Sequence, residues 1–563
     1  MEKYISILFI IFFSLTHVPE IGAREKISEY QTTSEKDLSE TEKLAATAKI
    51  WGFLKYYHPA VTRGQYNWDE QLFEVLEKVE TVKTSRELSV IFSNWIDSLG
   101  EVEECTECLS VQQKEVFLKN FDLSWIDSEL FSKKLRKQLR HIEKNRSIKE
   151  QYYVTAAPAG NVVIQNESEY PGSDWEDKKI RLLSLFRYWN QVEYFFPYKY
   201  QMDHNWDESL KKLLPLFINA DSERQYHLAM LQLTASLNDS HAYLVTDHTN
   251  RNYGYYWAPV KLKMIGGKAV VTGTYDKDLA AKDDWKLGDV LISVEGVPVS
   301  EILAEDKKYM SGSNEPAMLR NIEINLLNGH TGNVKIEFLR DGKLQKKEVS
   351  RFFKRDFDRN NTIKPKWKIL DDKIGYVDMG LVENEDVQEM MKDLKKTKAI
   401  IFDIRNYPNG TLGAIAYEIN SSSKPFAKFT LPDLSYPGKF TWTETYKIGG
   451  ENPDAYKGKV ILLVNEVTQS HAEFTAMALQ TAPDATIIGS QTSGADGNVS
   501  DISILGQFKT YMSGVGVFYP DGRETQRVGI RPDIVVEPTI KGIKEGRDEV
   551  LEKAVEVALK KNS

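Results

Sequence analysis

The chain has 563 residues, of which 41% are hydrophobic and 28% charged, with 34 Gly and 19 Pro. This composition excludes collagen-like, low-complexity and wholly disordered architectures, and at roughly 150 residues per domain the length predicts about three to four domains. The net charge of -9 lacks the basic footprint of nucleic-acid binding, and two cysteines are too few for a disulfide-built scaffold or a four-cysteine metal site.

At the N-terminus Lys3 precedes an apolar run from Tyr4 to Leu15, and Ile21-Gly22-Ala23 follows. A basic start, a short apolar stretch and small residues predict a secretory signal peptide over residues 1–23, cut near Ala23; an uncleaved anchor is the alternative. The run falls short of the roughly 20 residues that a transmembrane helix needs, and no later stretch comes close. The mature chain is therefore expected to be soluble, without a membrane span, and exported to the periplasm or beyond.

Trp51 to Pro59 aligns with Trp189 to Pro197 at an offset of 138 residues, and the same offset carries Asn67-Trp68-Asp69-Glu70 onto Asn205-Trp206-Asp207-Glu208. Two related helical units are predicted, about 40–105 and 178–245, with aromatic residues at helical spacing forming buried faces. Asn67 and Asn205 stand where N-caps are expected. The first unit plus a linker spans 24–177, with the linker over 156–178; the second unit spans 178–250. Only the second copy closes with Leu237-Asn238-Asp239-Ser240-His241. Within the first, Cys105 and Cys108 predict a local disulfide in an oxidising compartment, because the surrounding glutamates disfavour a reactive thiolate.

Residues 255–350 turn to short alternating strands: Val260–Met264, Ala269–Thr272, Val290–Val294 and Val334–Leu339. From 365 to 540 strands and helices alternate, as in an α/β domain, with strands at Ile374–Met379, Ala399–Asp403, Lys459–Val464 and Thr486–Ile488 and helices at Glu383–Lys395 and Ser470–Gln480. A charged helix at 541–563 ends the chain. Ser470 falls where a buried strand gives way to a helix, whose N-terminus offers N–H groups to a developing oxyanion. The same residue is equally well read as a plain N-cap, with Glu473 completing a capping box.

Four segments resemble, in order, the motifs of the C-terminal-processing (tail-specific) serine peptidases and their tricorn-core relatives. Ser470-His471-Ala472-Glu473 is similar to the nucleophile motif, with Ala472 in place of its second serine. Asp403-Ile404-Arg405-Asn406-Tyr407-Pro408-Asn409-Gly410 resembles the Asp-Leu-Arg-Asn-Asn-Pro-Gly-Gly loop. Gly489 to Gly494 resembles Gly-Glu-Pro-Thr-x-Gly, and Asp521-Gly522 with Gly529 to Ile534 resembles the closing turn and strand. Lys286-Leu287-Gly288-Asp289 followed by Val290 to Gly296 is similar to the signature of PDZ domains that precede such cores. The resemblance covers about 180–540 and implies an α/β core of the crotonase/ClpP-like β-α type, an all-α repeat region before it, a PDZ-like domain and a polypeptide substrate.

In the family's Ser-Lys branch the base stands 25 residues after the serine; here that position is Ala495, and no Lys occurs between Lys459 and Lys509. The resemblance to the tricorn branch instead implies His241 as base, helped by Ser240, since imidazole takes a serine proton well near neutral pH. The branch's acid position is Gln526 here, so Glu524 is expected to orient His241 from a shifted loop. The N–H groups of His471 and Gly410 are the expected oxyanion donors. The bland readings are a packed or capping His241 and a solvated Glu524; His471 is a minor alternative base. No metal or organic cofactor is called for. The expected function is an exported serine endopeptidase whose PDZ-like domain captures unstructured or C-terminal peptide. The rival is a non-catalytic binding protein on the same fold, with an inert Ser470 and a site for peptide or an apolar ligand; a second is an adaptor with a decayed core.

Overall fold

The computed structural model describes residues 37–109, 115–149, 151–172, 175–357, 364–370 and 373–560. The expected signal peptide lies outside the described residues. No helix among the described residues is long and apolar enough to cross a membrane.

Both sequence copies fold into helices with the same internal fastening. In the first, α1 (Glu40–Tyr57) and α2 (Trp68–Glu80) are followed by α3 (Ser85–Ser98). In the second, α4 (Lys178–Phe195) and α5 (Trp206–Ile218) are followed by α6 (Glu223–Ala235) and the short α7 (Asp247–Tyr253). Asn67 and Asn205 cap α2 and α5, each accepting a backbone N–H from the first turn. In each copy two tryptophans exchange bonds reciprocally. Trp51 Nε1 donates to Trp68 O at 3.0 Å and Trp68 Nε1 to Trp51 O at 3.1 Å. Trp189 and Trp206 do the same at 3.0 Å both ways. An indole is a donor only, so burying it requires an acceptor nearby; the repeat conserves the solution together with the residues.

The two copies pack directly. A Cβ on Gly52 of α1 would lie 1.8 Å from Asn190 Oδ1 of α4, so only glycine permits this approach, and Asn190 Nδ2 donates across the seam to Ala48 O at 3.0 Å. The linker expected at 156–178 is docked rather than loose. Val154–Ala156 and Val162–Ile164 form an antiparallel ribbon, and Glu167 is bonded to Lys55 at 2.5 Å and Arg187 at 3.1 Å. Burial alone would raise the Glu167 carboxyl, but the two cations outweigh it and hold it below its usual range. Cys105 and Cys108 are joined by a disulfide.

Next, β1 (Val260–Ile265), β2 (Lys268–Thr274), β3 (Val290–Val294), β4 (Asn333–Arg340) and β5 (Lys343–Ser350) form an antiparallel sheet in the order β5-β4-β3-β2-β1. It carries helices the sequence reading left out, including α8 (Glu315–Glu323) between β3 and β4. The third region is built on a six-stranded sheet. Its strands are β6 (Trp367–Leu370), β7 (Ile374–Asp378), β8 (Ala399–Asp403), β9 (Lys459–Val464), β10 (Thr486–Gly489) and, last, Ile534–Val535. All pairs but the first are parallel, which explains why the inner strands read as unbroken apolar runs. The helix expected at Glu383–Lys395 begins as a tight turn and is α-helical only over Val387–Leu394. Helix α9 (His471–Leu479) lies on one face. The C-terminal helix, α10 (Glu549–Leu559), covers the other with Val550, Ala554 and Ala558.

Between β10 and the last strand, β11 (Val499–Ile504) and β12 (Phe508–Ser513) form a hairpin. Its apolar residues Ile502, Ile504, Phe508 and Met512 join the core of the helical copies rather than that of the sheet. This hairpin, inserted between strands of the sheet, ties them to the helical copies and positions part of the site.

Candidate active site

After β9 the chain makes a turn braced by its own polar side chains. Thr468 Oγ1 accepts the N–H of Asn465 at 3.1 Å and donates to Ile404 O at 2.7 Å. Ser470 then adopts φ 57°, ψ −124° at the head of α9. An ordinary N-cap is extended, and a serine held at positive φ stores strain that its surroundings must hold in place. Those surroundings are explicit. The Ser470 N–H donates to Ala495 O at 2.8 Å. The buried Glu473 carboxylate accepts from the N–H groups of Gly494 (2.8 Å), Ala495 (3.0 Å) and Ser470 (3.2 Å), and from the Thr492 hydroxyl. Burial pushes the Glu473 carboxyl up, and these donors work against the shift. Glu473 thereby fastens the 489–497 loop to the head of the helix.

Ser470 and His241 line the same cleft of about 1160 Å³, whose apolar wall includes Phe426, Phe429 and Phe474. His241 Nδ1 lies 3.0 Å from Ser513 Oγ, and Ser513 Oγ donates to Asp239 Oδ1 at 3.1 Å. Because the hydroxyl proton is used on the aspartate, Ser513 Oγ accepts from His241 Nδ1–H. The lone pair therefore sits on Nε2, which is buried without a hydrogen-bond partner. Burial lowers the His241 pKa, with Asp239 opposing the shift, so the ring is neutral at neutral pH and fit to accept a proton. Asp239 is fully buried and is held in turn. It accepts the His241 N–H at 3.2 Å, the Ser513 N–H at 2.7 Å and Gln526 Nε2 at 3.3 Å.

Glu524 does not orient His241, which corrects the expectation from sequence. Its Oε1 pairs with Lys119 at 3.0 Å, and its Oε2 accepts from Tyr200 Oη at 2.7 Å and Gln201 Nε2 at 2.9 Å. These partners from the helical half satisfy both oxygens. The amide of Gln526, two residues on, faces Asp239; where a carboxylate is already buried, a donor there suits the site better than a second acid. Ser240 is buried but cross-links loops instead of touching the ring: its Oγ accepts the Ser313 N–H at 2.8 Å and its carbonyl accepts from Gln469 Nε2 at 3.3 Å.

His471 occupies the first turn of α9, where helix geometry supplies no intrahelical partner for its N–H. Its ring is half-buried, with a pKa lowered by burial, and stands 6.0 Å from the Tyr407 ring. Gly410 has φ 76° and open space around it, but it does not line the cleft; Tyr407 and Leu412 do. The β1–β5 sheet reaches the site through α8. Arg320 Nη1 donates to Glu466 O at 2.7 Å and Nη2 to Gln469 Oε1 at 2.8 Å. Among the described residues, the one cluster of three metal-ligating side chains contains no residue of this cleft.

Comparison with known proteins identifies two regions of the chain. Residues 373–536 match the protein-family model for Peptidase family S41, and residues 255–374 match that for a PDZ domain. The α/β core is a peptidase family S41 domain. A Carboxy-terminal-processing protease of Bartonella bacilliformis is 39% identical over 93 residues, which are 16% of this chain. That match spans about a fifth (21%) of the curated relative's length. Among solved structures, mature CPAF complexed with lactacystin aligns with TM-score 0.52 at 14% identity, covering 68% of this chain and 98% of that one. Mature CPAF alone aligns with TM-score 0.52 at 14% identity, covering 67% and 96%. At such identity these two structures show the shared fold of the S41 and PDZ regions with their mixed helices and sheets.

The sequence reading singled out Ser470, His241 and Ser240, all of which the fold gathers around one loop system. It missed Ser513, Gln469 and Arg320. Asp239 stood two residues before His241 in the quoted motif and carried a signal, a short acid beside a candidate base. Ser513 carried none, since its place depends on the hairpin.

Proposed function

We propose that the chain is an exported serine endopeptidase of the S41 type that cleaves polypeptides through an acyl-enzyme. The observation that carries this reading is the strained Ser470 at a helix head, sharing a cleft with a His241 whose Nε2 is unpartnered and whose Nδ1 is held by Ser513 and Asp239. In this mechanism His241 Nε2 takes the Ser470 hydroxyl proton as Oγ bonds to the peptide carbonyl carbon. The His471 N–H donates to the resulting oxyanion, one such donor being worth roughly 3 kcal/mol elsewhere. Collapse of the tetrahedral species breaks the C–N bond, and His241 passes its proton to the leaving amine. Water then repeats the sequence, releasing the carboxylate and restoring Ser470. Asp239 and Ser513 orient the imidazole, and Ser240 holds the loop beside it. Gly410 stays in the proposal as a second donor, reached by movement of its loop.

The PDZ domain would capture an unstructured or C-terminal stretch by adding it as a strand and feed it to the cleft. The reading keeps a crotonase/ClpP-like lineage for the core, supported by its parallel sheet, and a signal peptide at 1–23 with a periplasmic or secreted destination, supported by the residues that carry it. It also keeps the boundaries 24–177, 178–250, 255–350, 365–540 and 541–563 for the units of the mature chain.

The test is labelling of the purified protein with a fluorophosphonate probe, read by peptide mass spectrometry, for wild type, Ser470→Ala and His241→Ala. A label on Ser470 in the wild type, lost in both variants, is the expected result. A folded wild type that takes no label and cleaves no unstructured peptide would leave a binding protein as the better reading.

A further inference from the structure

Beside the segment that carries His241, α6 and α7 bring together Glu223, His227 and His248. Glu223 and His227 are one turn apart on α6 and so share a face; His248 comes from α7. A carboxylate oxygen and one nitrogen from each ring all lie within 4.8 Å of one another. His248 Nε2 is 3.2 Å from Glu223 Oε2, and the two imidazole rings are 4.5 Å apart.

The bonding around His227 leaves Nε2 as the unpartnered nitrogen. Its Nδ1 lies 2.8 Å from Thr246 Oγ1, and the Thr246 hydroxyl is within 3.4 Å of Thr249 Oγ1, to which it donates. With the Thr246 hydroxyl turned to Thr249, Thr246 Oγ1 can accept from His227 Nδ1–H, which puts the lone pair on Nε2, the tautomer a metal ion would select. That nitrogen is buried with no partner, on a side chain only 5% exposed. A buried polar atom left without a partner is costly. An imidazole whose distal N–H is anchored to an oxygen while its other nitrogen stays free has the arrangement of a metal ligand with its outer support.

We propose that Glu223, His227 and His248 form a binding site for a divalent transition-metal ion of the zinc type. Two neutral imidazoles and one carboxylate are a donor set for Zn²⁺, with water completing the coordination. Glu223 and His248 are on the open side of the cluster, where their side chains have room to turn toward an ion. The chain's two cysteines are paired in a disulfide and offer no competing thiol. The site is structural in character. Phe508 of the β11–β12 hairpin packs on His227 at 4.8 Å, and the 237–246 segment with Asp239 and His241 runs between the two ligand-bearing helices. An ion here would pin both supports of the imidazole at once. This proposal rests on the cluster alone and stands whether or not Ser470 is a nucleophile.

The experiment uses the full chain, stripped with a chelator and titrated with Zn²⁺ by calorimetry and with Co²⁺ by visible spectroscopy. The expected result is about one ion per chain, ligand-field absorption from Co²⁺ that Zn²⁺ displaces, and an unfolding temperature raised by Zn²⁺. His248→Ala and Glu223→Gln, both at the open side of the cluster, should each weaken affinity about tenfold or more and remove the thermal shift, while the exposed His204→Ala leaves them unchanged. His227→Ala empties a buried position and is read only if it folds. Substoichiometric binding, or binding and thermal shift unchanged in both His248→Ala and Glu223→Gln, would overturn the proposal and leave an ordinary histidine–glutamate ion pair.

Discussion

Arg320 and Gln469 meet across a domain boundary: Arg320 Nη2 lies 2.8 Å from Gln469 Oε1, and Gln469 immediately precedes Ser470. The same Gln469 accepts from Ser493 Oγ at 2.9 Å and donates to Ser240 O, so one side chain joins the PDZ-side helix, the nucleophile turn and the His241 segment. Arg320→Met should lower kcat about ten- to hundredfold with little change in KM, the loss expected for charge-assisted bonds worth roughly 1.5–3 kcal/mol. Arg320→Lys should recover only part, because a point charge cannot serve both acceptors. Equal losses in an unfolded-state assay and in kcat would reduce the contact to ordinary packing.

The Asp239–Ser513–His241 relay makes a pH prediction with a definite sign. Burial lowers the His241 pKa from 6.5, and the Asp239 anion opposes that shift by favouring imidazolium. The acid limb of kcat/KM should therefore fall below pH 6.5. Asp239→Asn removes the opposing charge and should move the limb lower still, together with a slower rate at the plateau. Ser513→Ala should cost activity, roughly tenfold or more, by freeing the ring to rotate. A limb that moves upward in Asp239→Asn would show that His241 is not the group titrating.

His58 supplies a separate prediction, on stability. Its Nδ1 accepts the Ala60 N–H at 3.3 Å in the turn after α1, and burial lowers its pKa to about 4. Between pH 6.5 and 4 the unfolded chain binds a proton at this position that the folded chain does not, so stability falls as the pH falls through that window. The effect is on the order of 3 kcal/mol when complete. His58→Asn retains a capping acceptor without titrating, and chemical denaturation of this variant should vary less between pH 6.5 and 4 than that of wild type. Parallel curves for the two proteins would count against it.

The twin tryptophan exchanges should be energetically matched. Trp51→Phe and Trp189→Phe each remove an indole donor and leave a buried carbonyl short of a partner, at a cost of about 1–3 kcal/mol. Urea midpoints should drop by similar amounts in the two variants. A large asymmetry would show that one copy bears the fold and the other only resembles it.

Much of this molecule is legible along the chain because its signals are local. The Trp51/Trp189 repeat, the apolar runs of β8 and β9, and the Lys286-to-Gly296 turn and strand each encode their own geometry within a few residues. His241 and Ser470 could be paired only by resemblance, being far apart in sequence. Ser513 was invisible because a serine at the end of a strand has no signature; its role follows from the β11–β12 register and from where that hairpin docks. Glu524 misled for a related reason. An acid in the expected stretch is easy to find, but of the partners that hold it elsewhere Lys119 lies in the first helical unit, outside the stretch that the resemblance covers, and Tyr200 and Gln201 carry no motif that marks them.

The hairpin that ends at Ser513 has one further consequence, for the order in which the molecule becomes whole. Its apolar face joins the core of the helical half, with Phe508 packed on Tyr226 and His227 of the second copy, while its last residue fixes the imidazole of His241. Asp239, His241 and Ser470 are all synthesised before Ser513. The set can close only after the hairpin has emerged and found a finished helical half to dock against. The second copy thus supplies the imidazole and also the surface on which its anchor docks: a chain misfolded there would still carry Ser470 and Ser513 and have no oriented base.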